Sequence, residues 1–272
     1  MHNAALRAVG LNGWRYQRLP VPPELFAETV RALPGAGFAG ANVTIPHKEA
    51  ALALADEATA TARAIGAANT LTFAPGGAIA ADNTDAPGLL AALGERRPRS
   101  AMILGAGGSA RAAAYALAGA GAAVAVWNRT PERARVLAAE LGVEAVAAPV
   151  PADVLVNCTS VGLADPSSTF KDLPLKADSV GEYACVVDLV YRAGDTLLAQ
   201  EARRRGSRVI DGLEILVQQG ALSFEGWTGR TAPLPVMRQS ARDDEHPTSY
   251  EPRPSPSAPG AANDGCRRGA GR

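Results

Sequence analysis

Met102-Ile103-Leu104-Gly105-Ala106-Gly107-Gly108-Ser109-Ala110 reads as a short buried strand that runs directly into a glycine turn and then a helix. Three bulky apolar residues in a row suit a strand covered on both faces, as in a parallel sheet. The helix continues from Arg111 to Ala120, and Ala122 to Trp127 supplies the next strand. Strand, helix and strand in that order make a βαβ unit, whose crossover is right-handed. The alternation goes on: a helix over Pro131 to Leu141, strands over Glu144–Ala147, Asp153–Cys158 and Cys185–Val190, a helix over Thr196–Arg205, and a closing strand at Arg208-Val209-Ile210. An α/β fold follows.

Gly105-x-Gly107-x-x-Ala110 fits the dinucleotide fingerprint, with Ala at the tolerated third position. Glycine permits the tight turn and brings backbone N–H groups close to a pyrophosphate. The next strand ends in Val126-Trp127-Asn128-Arg129-Thr130. A NAD site would place Asp or Glu there to hold the ribose 2′-hydroxyl. No acid is present. Arg129 offers a planar fork for a 2′-phosphate, and Arg133 lies one helical turn on. The unit therefore reads as Rossmann-like and NADP-binding.

Upstream lies Ala41-Asn42-Val43-Thr44-Ile45-Pro46-His47-Lys48. A strand over Phe38–Ile45 delivers Thr44, His47 and Lys48 to a turn, and Pro46 suits the first turn of a helix reaching Leu54. Lys48, Lys171 and Lys176 are the only lysines; every other basic side chain is Arg. Asn69 and Asp85 follow in later turns of the same region. A Lys held by a carboxylate can deliver a proton to a ketone oxygen, so Lys48 and Asp85 suit general acid–base work. They suit an ordinary ion pair equally, and spacing leaves both open. Helices are expected over Met1–Val9, from Pro22 to about Gly35, Glu57–Ile65 and Thr84–Leu93, a strand over Trp14–Val21, and a hairpin over Ala68–Asp82 turning at Pro75-Gly76-Gly77. Helices at Glu214–Trp227 and Leu234–Ser240 end the patterned region.

The formal net charge is +0 and the pI about 6.8, so there is no electrostatic footprint for nucleic acid or an anionic membrane. Cys158, Cys185 and Cys266, like His2, His47 and His246, lack ligand spacing, so no metal site is expected. Residues 1–7 lack the apolar core of a signal peptide, and the uncharged run Ala112–Trp127 is too short to span a bilayer. A cytoplasmic protein is expected. From residue 243 to 272, Pro, Ser, Gly and charges dominate, which predicts a disordered tail.

Together the motifs resemble the shikimate dehydrogenase family. Residues 42–48, Gly66-Ala67-Ala68-Asn69-Thr70 and Asn83-Thr84-Asp85 match its substrate-domain motifs. Gly105-Ala106-Gly107-Gly108-Ser109 and Asn128-Arg129-Thr130 match its NADP motifs. Asp188-Leu189-Val190-Tyr191 and residues 212–219 match its closing elements. The resemblance implies two domains: residues 1–87 with 212–242 binding substrate, and 88–211 binding NADP. It implies reversible NADP-dependent reduction of 3-dehydroshikimate to shikimate, in aromatic amino acid biosynthesis, by a monomer or homodimer. It makes Lys48 and Asp85 the catalytic pair and places Thr44, Asn69, Tyr191 and Gln219 on the substrate. Leu189 and Gly212 meet the nicotinamide end through their backbone. The family usually opens with a strand and a Ser-x-Ser-Pro segment that would precede Met1, so one strand and two carboxylate ligands are expected to be missing. Ala193 replaces a usual Pro. Two alternatives accompany the main reading: a quinate/shikimate dehydrogenase using NAD, and a catalytically weak NADP-binding member.

Overall fold

The computed structural model describes residues 1–163, 165–191 and 194–243. In chain order these form α1 (His2–Ala8), a 3₁₀ turn (Pro23–Leu25), α2 (Phe26–Ala32), β1 (Gly40–Asn42), α3 (Lys48–Leu54), β2 (Glu57–Ala58), α4 (Ala60–Ile65), β3 (Thr70–Phe73), β4 (Ile79–Asp82) and α5 (Asp85–Leu93). There follow β5 (Ser100–Leu104), α6 (Gly108–Gly119), β6 (Ala123–Trp127), α7 (Pro131–Leu141), β7 (Glu144–Ala145) and β8 (Val154–Asn157). The chain ends with α8 (Thr169–Asp172), β9 (Cys185–Asp188), α9 (Leu197–Arg204), β10 (Arg208–Ile210), α10 (Gly212–Thr228) and α11 (Leu234–Asp243).

The second sheet is parallel, in the order β10-β9-β8-β5-β6-β7. Its central strand β5 alternates with the pleat: Ala101 and Ile103 join a core built with α5 and α6, while Met102 and Leu104 face α9 and the segment before β9. Both faces are covered, so every residue from Ala101 to Leu104 is buried. Helix α6 offers Ala110, Ala113, Ala114 and Leu117 to the sheet; the small side chains let it lie close. Sequence order runs outward from β5 in one direction and from β8 in the other. The crevice between them is a topological switch point, where ligands bind in sheets of this kind.

The first sheet is mixed, in the order β1-β3-β4-β2, with β2 parallel to β4. Leu71, Phe73, Ile79 and Ala81 bury one face against Phe26 and Val30 of α2 and Ala51 of α3. Helix α10 returns to this half and packs on α5, while its other apolar side joins α1 and α11 through Phe224, Leu6 and Met237. Gly88 makes the α5–α10 approach possible: a Cβ there would sit 2.9 Å from the Gln219 nitrogen.

Several expected boundaries change. Trp14–Val21 forms no strand, because the Asn3 side chain satisfies Tyr16 instead, accepting its N–H and donating to its carbonyl, both at 2.8 Å. Tyr16 stacks on buried His2, with ring centroids 4.2 Å apart. Burial lowers the pKa of His2 to about 4, against the opposing effect of the Gly220 carbonyl. The strand expected over Phe38–Ile45 is ordered as strand only at Gly40–Asn42. Pro46 lies outside the helix, after a cis Ile45–Pro46 bond; α3 starts at Lys48, following His47, whose ring bonds the Val21 carbonyl and stacks on Phe26. Glu57-Ala58 joins the sheet rather than a helix, and α4 begins after Thr59, whose hydroxyl accepts the Ala62 N–H. Helix α11 runs through Asp243; the rest of the expected tail, and Ala193, lie outside the described residues.

Candidate active site

Lys48 opens α3 and is 9% exposed. A cation there opposes both the helix dipole and desolvation, so its position needs compensation. Asp85 supplies it. Lys48 Nζ donates to Asp85 Oδ2 at 2.6 Å and to Ser109 Oγ at 2.9 Å. Asp85 opens α5, where a carboxylate suits the dipole. Buried Asn83 holds that first turn: its Oδ1 accepts the N–H groups of Asp85 and Ala86, and its amide donates to the Ala67 carbonyl. Three separate elements thus meet on one ammonium: α3 beside the first sheet, α6 beside the second, and α5, which packs on α6 and α10 between them.

Asn69 sits behind this pair. Its amide nitrogen donates to Asp85 Oδ1 at 2.8 Å, Thr84 Oγ1 at 3.0 Å and Gln219 Oε1 at 3.1 Å. Its oxygen accepts the Thr84 N–H at 2.7 Å. Gln219 donates in turn to the Leu216 carbonyl. A hydroxyl network continues through Thr70 and Thr84 to Ser223, which also accepts from Asn42 at 2.8 Å; Tyr16 donates to Asn42 Oδ1. Thr44 is exposed on the turn before α3, and Tyr191 is 50% exposed; neither side chain hydrogen-bonds into this network among the described residues.

A cleft of about 310 Å³ opens at the carboxyl ends of β5, β6 and β8. Gly105, Ala106, Gly107 and Gly108 line it, with Asn128, Arg129 and Arg133 on one side and Thr159 and Ser160 on another; Lys48 lies at its wall. Gly105 has φ +110°, and a Cβ there would press on the Cys158 backbone at 3.2 Å, so the turn needs glycine. A Cβ on Gly107 would meet nothing within 4 Å, which leaves its backbone open to an occupant of the cleft. Arg129 and Arg133 are exposed and have no carboxylate partner among the described residues. Asn128 donates to the Thr130 carbonyl, shaping the loop that presents Arg129. The donor set therefore fits a dinucleotide carrying an extra phosphate.

Leu189 and Gly212 come together at another edge of the sheet. A Cβ on Gly212 would lie 2.9 Å from the Leu189 carbonyl oxygen, so only glycine allows this approach. Asp188 anchors the loop: its carboxylate accepts from Asn157, Thr196 and the Val190 N–H, while burial pushes its pKa up against those bonds.

Residues 1–71 match the shikimate dehydrogenase substrate binding domain, 91–160 the shikimate / quinate 5-dehydrogenase family, and 212–242 the shikimate 5′-dehydrogenase C-terminal domain. Shikimate dehydrogenase (NADP(+)) of Methylobacterium radiotolerans is 45% identical, the match covering 89% of each chain. The chain belongs to the shikimate dehydrogenase family. The enzyme of that name from Methanothermobacter thermautotrophicus is 42% identical, over 89% of this chain and 90% of its own. The crystal structure of shikimate 5-dehydrogenase from Thermus thermophilus, in complex with NADP(H) and shikimate, superposes with a TM-score of 0.79. It is 42% identical and covers 89% of this chain and 92% of its own. Within this family member, the sequence motifs did not include Ser223 or Thr159, and Thr70 stood in one without a role of its own. Lone hydroxyl residues on a helix, strand or loop carry no local signal; only the crossing of α10 over β3 brings Ser223 to Asn42.

Proposed function

We propose that this chain reduces 3-dehydroshikimate to shikimate, reversibly, with NADP(H), and that Lys48 and Asp85 manage the proton. The observation that carries this reading is the Lys48–Asp85 pair, 2.6 Å apart, at the wall of a glycine-turned cleft on the switch point of a parallel sheet. Family membership and the named activities of the relatives supply the substrate and the cofactor. NADPH, when bound, supplies the hydride. Lys48 then protonates the oxygen that gains charge as the ketone becomes an alcohol, and Asp85 holds the ammonium in place. Asn69 and Gln219, fixed to each other and to Asp85, give substrate hydroxyls a rigid polar wall; Thr44 and Tyr191 approach from the exposed side. Residues 1–87 and 212–242 form the substrate domain, and 88–211 the NADP domain. Helix α5 straddles that boundary. The NAD-using and weakly active alternatives have less behind them, since the relatives above are NADP(+) enzymes by name.

Gly105–Gly108 and the backbone of Ser109 would frame the pyrophosphate end, Asn128, Arg129, Thr130 and Arg133 the 2′-phosphate, and Leu189 with Gly212 the nicotinamide. We also assign the chain to the cytoplasm, as a monomer or homodimer, with no metal, nucleic-acid or membrane partner. No described helix is long and apolar enough to cross a membrane.

Arg129→Ala is expected to weaken NADP binding about 10–100-fold, since a hydrogen bond to a charged group contributes roughly 1.5–3 kcal/mol. NAD, which lacks the 2′-phosphate, should bind the variant almost as it binds the parent. Fluorescence titration with both cofactors tests the assignment, and equal losses would make Arg129 structural.

A further inference from the structure

Ser109 belongs to the glycine motif, yet its hydroxyl is aimed elsewhere. The lining of the cofactor cleft runs from Gly105 to Gly108 and does not include Ser109. Its Oγ lies 2.9 Å from Lys48 Nζ and accepts a hydrogen bond from it. We propose that Ser109 is a positioning residue for proton transfer, acting through Lys48 rather than on the cofactor. This rests on the reading of Lys48 as the proton donor.

Donor directions at Lys48 set the role of Ser109. An ammonium has three N–H donors set tetrahedrally. Asp85 Oδ2 and Ser109 Oγ occupy two of them, so the third direction is determined and is left for the substrate oxygen. With Asp85 alone, the lysine stem torsions could swing Cε about the Nζ···Oδ2 axis and carry the two remaining N–H directions with it; the bond to Ser109 stops that swing. Catalysis loses from such freedom, because proton delivery needs a held geometry.

The placement of Ser109 is itself tightly determined. A Cβ on the preceding Gly108 would sit 2.9 Å from Lys48 Cβ and 3.1 Å from Lys48 Cδ, so the start of α6 lies directly on the lysine stem. One turn on, Arg111 Nε donates to the Ile65 carbonyl at 2.5 Å, and its guanidinium pairs with Glu140. These contacts bind the first turn of α6 to α3 and to the end of α4. The same turn begins at the glycines of the cofactor cleft. The hydroxyl that aims Lys48 is thus carried on the element that frames the cofactor, and donor and cleft are set by one rigid piece of backbone.

The test is a mutant cycle on the full chain: Ser109→Ala and Ser109→Thr, each alone, and Ser109→Ala combined with Lys48→Ala. Steady-state shikimate oxidation with NADP and the Kd for NADP are measured for each. Ser109→Ala should lower kcat about tenfold, with the KM for shikimate and the Kd for NADP within about twofold of the parent. Ser109→Thr, which keeps the hydroxyl, should stay within about threefold in kcat. In the Lys48→Ala background, Ser109→Ala should cost nothing more, since residues acting as a unit are non-additive. Parental kcat in Ser109→Ala overturns the proposal. So does a loss matched by weaker NADP binding, a Thr variant no better than Ala, or a full further loss in the Lys48→Ala background. Undiminished turnover in Lys48→Ala alone would instead remove the parent reading.

Discussion

Replacing Lys48 by Ala is expected to lower kcat about 10²–10⁴-fold, the usual contribution of a positioned general acid, while leaving NADP affinity unchanged. The separation follows from the geometry. Lys48 reaches the wall of the cleft from α3, whereas the glycine turn and Arg129, proposed above to hold the cofactor, follow β5 and β6. Without the amine, the forming alkoxide has no held proton donor, and Asp85 is left as an uncompensated negative charge beside it. That charge disfavours hydride arrival at the neighbouring carbon. Lys48→Met is the companion variant. It keeps the stem that packs against Gly108 but not the charge, so both variants should fold and both should be inactive. Stopped-flow and steady-state rates, with thermal melts as control, provide the check. Near-parental turnover in either folded variant contradicts the role.

Asn69→Leu should cost stability as well as turnover. Asn69 is 2% exposed, and its side chain meets Asp85, Thr84 and Gln219 at once. Leucine matches it in size but leaves the buried Thr84 N–H without its acceptor and the Gln219 and Asp85 oxygens short of a donor. An unsatisfied buried group costs about 1–3 kcal/mol, and the Thr84 N–H has no other side-chain partner among the described residues. A total near 3 kcal/mol lowers the melting temperature by roughly 6–12 °C in a chain of this size. Turnover should fall by about two orders of magnitude, because Asp85 loses the bond that orients it toward Lys48. Differential scanning calorimetry and kinetics on the same preparation separate the two effects. A variant that melts with the parent would show that Asn69 contacts substrate only and does not organise the site.

The second sheet was legible because its signals are local. Met102-Ile103-Leu104 before the glycines, and the absence of an acid after Trp127, needed only neighbouring residues to be read, and βαβ chirality supplied the rest. The pairing of Lys48 with Asp85 was legible as chemistry but not as geometry: 37 residues separate them, and the hairpin over β3 and β4 closes that distance. The Trp14–Val21 stretch misled because its alternation is real, yet the Asn3 amide takes the place of a neighbouring strand. Glu57-Ala58 misled in the other direction. Its helical composition gives way to pairing with β4, and the Thr59 cap, a local signal available in the sequence, marks where the helix begins. Ser109 is the instructive case at the site. Its motif neighbours do form the expected glycine turn between strand and helix, but which way its hydroxyl points depends on how α6 meets α3, and no one-dimensional pattern encodes that crossing.

This chain is expected to interconvert shikimate and 3-dehydroshikimate using NADP. The most direct measurement is kcat/KM for oxidation of shikimate and of quinate, each with NADP and with NAD, under one set of conditions. Shikimate with NADP should exceed every other combination by at least about tenfold, the factor set by roughly 1.4 kcal/mol of selective contact. A preference for quinate or for NAD, or no oxidation of either substrate by a folded protein that binds NADP, would contradict it.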